Sequence, residues 1–124
     1  MTTRYTKDHE WVRLDGDIAT IGISKYAAEQ LGDVVYAELP AAGKAFKQGD
    51  DMAVVESAKT ASDVYAPISG EIVEGNAAIT GENWQVINDE PEASGWFVKL
   101  KVSDKSELDA LMDEAAYADY VKGL

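Results

Sequence analysis

Cysteine is absent from this chain of 124 residues, and histidine occurs once. Without a thiol the protein can form no disulfide, no thiolate zinc site and no cysteine nucleophile. The one histidine, His9, is too few for a typical multi-histidine metal site. Any sulfur-based redox chemistry would therefore depend on a cofactor attached to the chain.

Basic residues are scarce, with Lys and Arg totalling 11 against 23 Asp and Glu, which gives a formal net charge of −12. Such a surface repels phosphate backbones and anionic lipid, and this argues against nucleic-acid and membrane partners. The charge favours partners with basic docking faces. The alternative is that the acidic balance serves only solubility.

Long apolar runs are also missing, so no segment is predicted to span a bilayer. The first residues, MTTRYTKDHEW, lack the apolar segment of a signal peptide, and their acids argue against a transit peptide. We therefore expect a cytoplasmic protein, or a mitochondrial matrix protein if the chain is a processed eukaryotic product.

What is present is a series of short β-prone runs punctuated by glycine and proline, which is typical of a sandwich or barrel. Asp15-Gly16 between two such runs predicts a hairpin over residues 10–23. A short helix is predicted over residues 24–31, with Ser24 as its cap and Gly32 just past its end. Further strands are predicted at Val34–Leu39, Met52–Glu56, Asp63–Ala66, Gly70–Glu74 and Gly95–Val102.

The character of the chain changes at Ser103, after which helix formers dominate. Asp104 and Glu107 have the spacing of a capping box. A stripe at helical spacing follows at Leu108, Leu111, Met112 and Ala115. We predict one or two short helices packed on the β body. The whole chain, residues 1–124, is then one domain with a β body over about 5–102 and a helical segment over about 103–122.

One lysine, Lys59, lies in a short turn between two β-prone runs, which predicts that it sits near a hairpin tip and projects away from the body. Its neighbours are small, so a modifying enzyme could approach its ammonium group, and Glu56 and Asp63 bracket the tip. The alternative is an exposed turn lysine without a function. Elsewhere the sequence gives no nucleophile motif and no phosphate loop, so we expect no catalytic activity.

The segment around Lys59 resembles the lipoylation segment of glycine cleavage system H proteins. Residues 56–71 read ESAKTASDVYAPISGE, where that family usually has Glu-Ser-Val-Lys-Ala-Ala-Ser-Asp followed by Ala-Pro-x-Ser-Gly-Glu. Further similar segments occur in the same order along the chain, at residues 5–12, 19–23, 31–35, 38–40, 88–91 and 95–99. The ordered set makes the resemblance specific to H proteins rather than to lipoyl domains in general.

The resemblance implies a mainly β fold, the barrel-sandwich hybrid of lipoyl domains, with a short internal helix and C-terminal helices. It implies that Lys59 carries lipoic acid in amide linkage and that the protein is a non-catalytic carrier. We expect a monomer, which suits a mobile carrier. The residues it marks for recognition by the lipoate ligase or lipoyl transferase are Glu56, Ser57, Ala58, Thr60, Ala61 and Asp63. His9 and Glu10 match positions near the resting place of the arm, where they either contact it or form structural hydrogen bonds.

The resemblance also implies partners. The carrier would take an aminomethyl group from glycine decarboxylase (P protein) to aminomethyltransferase (T protein), and reducing equivalents to dihydrolipoyl dehydrogenase (L protein). Two alternatives stay open: a lipoyl relay carrier serving 2-oxo acid dehydrogenases, and an acidic interaction module whose Lys59 is never modified.

The chain departs from the family pattern at several positions, including residues 92–95, which lack the Tyr often found after Asn-x-x-Pro. Ala58 stands where Val is usual, Thr60 where Ala is usual, and Trp84 where Pro is frequent, in a loop about one residue longer than is common. The first two flank Lys59 and bear on the preference of the lipoylating enzyme. Trp84 either packs on the body or contacts a partner.

Overall fold

The computed structural model describes residues 2–81 and 83–124 and consists mainly of β-strands. The strands are β1 Thr2–Tyr5, β2 Glu10–Asp15, β3 Ile18–Ile23, β4 Val34–Glu38, β5 Ala45–Phe46, β6 Asp51–Ser57, β7 Ala61–Tyr65, β8 Gly70–Gly75 and β9 Val98–Val102. The helices are α1 Lys25–Leu31, α2 Ala77–Thr80, α3 Gln85–Asp89 and α4 Glu114–Lys122, with a 3₁₀ helix at Lys105–Ala110.

The strands form two sheets. The larger has the order β1-β2-β3-β9-β8-β5, and the smaller has β6 between β4 and β7. All the pairings are antiparallel. The main core contains residues from both sheets, among them Ile21 and Leu100 from the larger and Val55 and Val64 from the smaller. The prediction of a mainly β sandwich-type fold with helical additions is thus confirmed.

The predicted first hairpin and first helix are both present. β2 and β3 pair from Glu10↔Ile23 to Asp15↔Ile18, and Gly16 takes the positive φ of +63° that the tight turn needs. The Ser24 side chain accepts a hydrogen bond from the Ala27 amide, and Gly32 ends α1 with a φ of +81°. Local sequence signals therefore determine this part of the fold.

Four elements were not predicted: β1, β5, α2 and α3. β1 pairs with β2, and its last residue, Tyr5, also exchanges backbone hydrogen bonds with Met112 near the end of the chain. α2 is capped by buried Asn76, whose Oδ1 accepts from the Ala78 amide and whose side-chain amide donates to the Ser94 and Trp96 carbonyls. Partners distant in sequence thus stabilise elements that carry weak local signals.

The strand predicted to begin at Gly95 begins at Val98 instead. The Gly95 amide donates to the Glu90 carbonyl at 2.7 Å, and a Cβ at Gly95 would lie 2.5 Å from the Val86 carbonyl oxygen. This glycine serves close packing of the loop against α3, so residues 95–97 do not join the start of the strand.

The C-terminal segment contains two short helices, as predicted, but the predicted stripe is not the face of one helix. Asp104 caps the 3₁₀ helix, whereas the Glu107 side chain accepts from the Ser69 amide and hydroxyl instead of returning to the cap. Leu108 joins the main core, Ala115 is exposed, and the buried residue of α4 is Tyr117. Within the described ranges no helix is long and apolar enough to cross a bilayer.

Candidate functional site

The loop between β6 and β7 is a tight hairpin turn organised by Ser57. The Ser57 amide donates to the Thr60 carbonyl at 2.8 Å, which leaves Ala58 and Lys59 at the tip. The buried Ser57 hydroxyl oxygen accepts from the Lys59 and Thr60 amides, both at 3.2 Å. Because the side chain satisfies these backbone groups, the tip has a defined conformation.

Lys59 is exposed at this tip, but its side chain does not project away from the body as the sequence predicted. It lies along the end of α1, where a Cβ built on Gly32 would be 3.2 Å from Lys59 Cε and 3.6 Å from Nζ. The Ala58 amide also donates to the Asp33 carbonyl at 3.3 Å. The tip therefore rests against the α1–β4 connection, and the lysine is accessible from one side.

Beside the hairpin is a cleft of about 200 Å³ between α1, the smaller sheet and the turn before β2. Its apolar surface comes from Ile23, Ala27, Leu31, Val55 and Val64. Its polar groups come from Asp8, His9, Glu10, Tyr26, Gln30, Thr60, Ser62 and Asp63. The cleft thus combines an apolar floor with a few carboxylate, imidazole and hydroxyl groups next to Lys59.

Glu10 is the buried carboxyl group of this cleft, with 2% of its surface exposed. The Thr6 hydroxyl donates to Oε1 at 2.6 Å, and the Tyr65 amide donates to Oε2 at 3.3 Å. Burial raises the pKa of Glu10 from 4.5 to about 7, and these two hydrogen bonds oppose the increase. Glu10 can therefore accept or release a proton near neutral pH.

His9 borders the same cleft and has an unusual backbone conformation, with a φ of +69°. The Thr6 carbonyl accepts from the His9 amide, and the His9 carbonyl accepts from the Ser24 amide. Its Nδ1 lies 2.7 Å from the Tyr117 hydroxyl, and its ring packs on Tyr26 at 4.7 Å between centroids. Burial lowers the pKa of His9, against the opposing charge of Asp8, which favours the neutral imidazole.

The structure brings some of the sequence-predicted residues together and separates others. His9, Glu10, Thr60 and Asp63 all line the cleft. Glu56 instead lies opposite Tyr36 of β4 in the strand pairing, where the charge of Glu38 first, and then that of Glu56, raises the pKa of the Tyr36 hydroxyl. The two acids that bracket Lys59 in sequence therefore face different surroundings.

Trp84 packs on the body rather than standing free. It is partly buried against the main core, and its ring meets Tyr36 edge-on at 5.8 Å. Of the loop that the sequence singled out around it, Glu82 lies outside the described residues. The contact joins the α2–α3 region to the smaller sheet, close to the hairpin that carries Lys59.

Sequence reasoning missed several residues of the site because they are distant along the chain. Tyr117 lies 108 positions from His9, and the stripe predicted for the C-terminal segment did not include it. Thr6 and Tyr65 bond Glu10 from two other elements, and Tyr26 supports His9 from α1. Only the helical spacing of Tyr117 and Tyr120 in the last ten residues offered a signal.

Comparison with known proteins gives one consistent result over nearly the whole chain. The family model for "Glycine cleavage H-protein" matches residues 3–123. The glycine cleavage system H protein of Phenylobacterium zucineum is 62% identical over 118 residues, covering 95% of this chain and 97% of the relative. That of Parvibaculum lavamentivorans is 56% identical over 121 residues, covering 98% and 96%.

A solved structure agrees with this result. The crystal structure of a glycine cleavage system H protein from Mycobacterium marinum superimposes with a TM-score of 0.87 at 35% sequence identity. The match covers 99% of this chain and 98% of that one. The likeness therefore extends through both sheets and the C-terminal helices.

Proposed function

This chain belongs to the glycine cleavage H-protein family, and on that premise we propose that Lys59 carries a lipoyl group in amide linkage. The protein is a carrier subunit of the glycine cleavage system and not an enzyme. Because the relatives named above are bacterial, we propose the cytoplasm as its compartment.

The single observation that carries the assignment of Lys59 is its position at the tip of the β6–β7 hairpin, directly beside the cleft. The Ser57 hydroxyl holds the two neighbouring amides, so the lysine is presented on a turn of defined shape. Ala58, Thr60 and Ala61 are small and exposed, which leaves room for the active site of a lipoate ligase or lipoyl transferase. Glu56 and Asp63 supply negative charge on two sides of that approach.

The cleft fits the end of a lipoyl arm. Its apolar floor suits a hydrocarbon chain and a dithiolane ring, since burying such surface contributes about 25 cal/mol per Å². The C-terminal end of α1 forms one wall, and the Lys59 side chain already lies against that end at Gly32. An arm that continues from Nζ would therefore begin at the mouth of the cleft.

When attached, the lipoyl group supplies the redox-active sulfurs that this cysteine-free chain lacks, and thereby carries the aminomethyl cargo. Glu10 and Asp63 offer carboxylate oxygens that can accept hydrogen bonds from an amino group. An arm seated on the apolar floor would be partly shielded from water, which would slow hydrolysis of the cargo between enzymes. We propose that His9 and Glu10 contact the arm as well as forming the structural hydrogen bonds described above.

We propose three enzyme partners: glycine decarboxylase, aminomethyltransferase and dihydrolipoyl dehydrogenase. The net charge of −12 favours partners whose docking faces are basic. A monomer suits a carrier that must visit three active sites in turn.

The test is Lys59→Arg in a glycine cleavage assay reconstituted from the purified partner enzymes. Arginine keeps the charge and exposure but cannot be lipoylated, so we expect glycine-dependent release of carbon dioxide to fall to the level without carrier. Lys47→Arg, at another exposed lysine, should support the full rate. If the Lys59→Arg protein sustains glycine cleavage, the assignment of Lys59 is wrong.

A further inference from the structure

Three side chains from separate parts of the chain form a continuous hydrogen-bonded series behind the cleft. The Tyr117 hydroxyl of α4 lies 2.7 Å from Ser24 Oγ and 2.7 Å from His9 Nδ1. Ser24 is fully buried, and Tyr117 is 7% exposed. His9 is the member of the series that reaches the cleft.

The direction of these hydrogen bonds follows from the partners of the Ser24 hydroxyl group. Ser24 Oγ already accepts from the Ala27 amide at 3.2 Å, and in the described part of the chain its other partner is Tyr117. A buried hydroxyl proton is rarely left without an acceptor. The Ser24 hydroxyl therefore donates to the Tyr117 oxygen, and the Tyr117 hydroxyl donates to His9 Nδ1.

This direction determines the tautomer of His9. A nitrogen that accepts a hydrogen bond carries no proton, so in the neutral ring the proton is on Nε2. Every buried side-chain nitrogen or oxygen within residues 3–81 and 83–124 has a partner, and Nε2 has none there, so Nε2 is open to the cleft or solvent. A doubly protonated ring would reverse the series and leave the buried Ser24 proton without an acceptor.

The backbone and the ring contacts keep His9 in this position. Its left-handed φ of +69° costs of the order of 1 kcal/mol for a residue other than glycine, and histidine is among the residues that tolerate it best. The Tyr26 ring supports the imidazole from α1, and Tyr117 meets it edge-on at 5.8 Å. Tyr117 is itself stacked on Tyr5 at 4.4 Å with an interplanar angle of 7°, which anchors α4 on β1.

We infer that Tyr117 is a positioning residue, whose hydroxyl group fixes His9 as the Nε2–H tautomer and so gives the cleft a hydrogen-bond donor. The helix α4 thereby completes a site whose lining otherwise comes from residues 8–64. Near Lys59, the cleft then offers the His9 Nε2–H donor and the Glu10 carboxylate acceptor.

The consequence for the arm rests on the proposed function of Lys59. A donor at Nε2 suits an acceptor atom of the arm, such as its amide oxygen or a thiolate sulfur, and does not suit an ammonium group. The acceptor Glu10 suits the ammonium group instead. His9 and Glu10 would therefore hold different parts of a loaded arm and fix its orientation in the cleft.

The experiment is nitrogen NMR of His9 in the unmodified protein, labelled at its only histidine, at a pH where the ring is neutral. We expect the wild type to show one protonated nitrogen, Nε2, and an unprotonated, hydrogen-bonded Nδ1. In Tyr117→Phe the stack on Tyr5 is kept and only the hydroxyl is lost, so both nitrogen shifts should move toward each other as the two tautomers exchange. Tyr120→Phe is the matched control and should leave the wild-type pattern unchanged.

A wild-type spectrum with the proton on Nδ1 would overturn the inference without any variant, even if Tyr117→Phe did not fold. A Tyr117→Phe spectrum identical to the wild type would overturn it as well. Neither result bears on lipoylation, because the measurement uses unmodified protein. A failure of Lys59→Arg to abolish glycine cleavage would, conversely, leave the tautomer of His9 as measured.

Discussion

The ionisation of Glu10 links the cleft to the stability of the protein. Its carboxyl group has a pKa of about 7 in the folded state against 4.5 ordinarily, because burial disfavours the charged form. Between these values the folded state binds more protons at this site than the unfolded state. Its contribution to stability is therefore complete below about pH 4.5 and is lost as pH rises through about 7.

We predict that Glu10→Gln removes this dependence. The difference in unfolding free energy between variant and wild type should shift in favour of the variant by about 3 kcal/mol from about pH 4.5 to about pH 8. Urea unfolding across that range measures it. If the unfolding free energies of the two proteins change with pH in parallel, Glu10 has an ordinary pKa. The prediction that this carboxyl group titrates near neutral pH would then be wrong.

Only some properties of His9 could be predicted from the sequence. Its presence beside Glu10 was visible, and so was the match to a family position. Its partner Tyr117 and its left-handed backbone were not, because both depend on contacts with elements that come much later or that fold around it. A residue's identity is local, whereas its protonation state depends on neighbours brought together by the fold.

Gly32, at the end of α1, is the point where the hairpin that carries Lys59 packs against the wall of the cleft. Gly32 has a φ of +81° and a ψ of −158°, a combination that residues with a side chain almost never adopt. Its carbonyl accepts from the Asn88 side-chain amide at 2.7 Å, and Lys59 Cε would lie 3.2 Å from a Cβ at this position. The position thus serves both the end of the helix and the resting place of the lysine.

Gly32→Ala should destabilise the protein by about 1–3 kcal/mol, because alanine is strained in that conformation. The added methyl group should also displace the Lys59 side chain. Gly123→Ala is the control, since Gly123 has an ordinary φ of −84° and space around it. Thermal unfolding compares the two, and equal midpoints for Gly32→Ala and wild type would contradict the strain.

Elements with strong local signals were predicted well, and those without were not. The β2–β3 hairpin follows from Asp15-Gly16, and α1 follows from Ser24 and Gly32. β1, which was not predicted, is stabilised by the end of the chain, through the Tyr5–Tyr117 stack on α4 and the Tyr5–Met112 backbone pair just before that helix. No local window of sequence contains both members of either contact.

The molecule as a whole is acidic, and few of its charges are neutralised by ion pairs. Among the described residues one salt bridge occurs, between Lys105 and Asp17 at 2.8 Å, and both side chains are largely exposed. Exposed pairs contribute little to stability. The excess negative charge therefore remains available for long-range attraction of any basic surface.

The fold places Lys59, on a turn of defined shape, next to the cleft. Both sheets and the C-terminal helix contribute to this arrangement. The position of the lysine could be predicted from the sequence, since the small residues around it and the flanking strands are contiguous. The cleft could not be predicted, because its walls come from separate elements: α1, the smaller sheet and the turn before β2.

The most direct test of this account is the intact mass of the protein purified from its native source, followed by tryptic mapping of residues 48–99. Between Lys47 and Lys99 the only site for trypsin is Lys59. We expect one lipoyl-sized increment on the protein and an uncut 48–99 peptide that carries it. An unmodified Lys59, cleaved by trypsin in a host with working lipoylation, would contradict the carrier function proposed here.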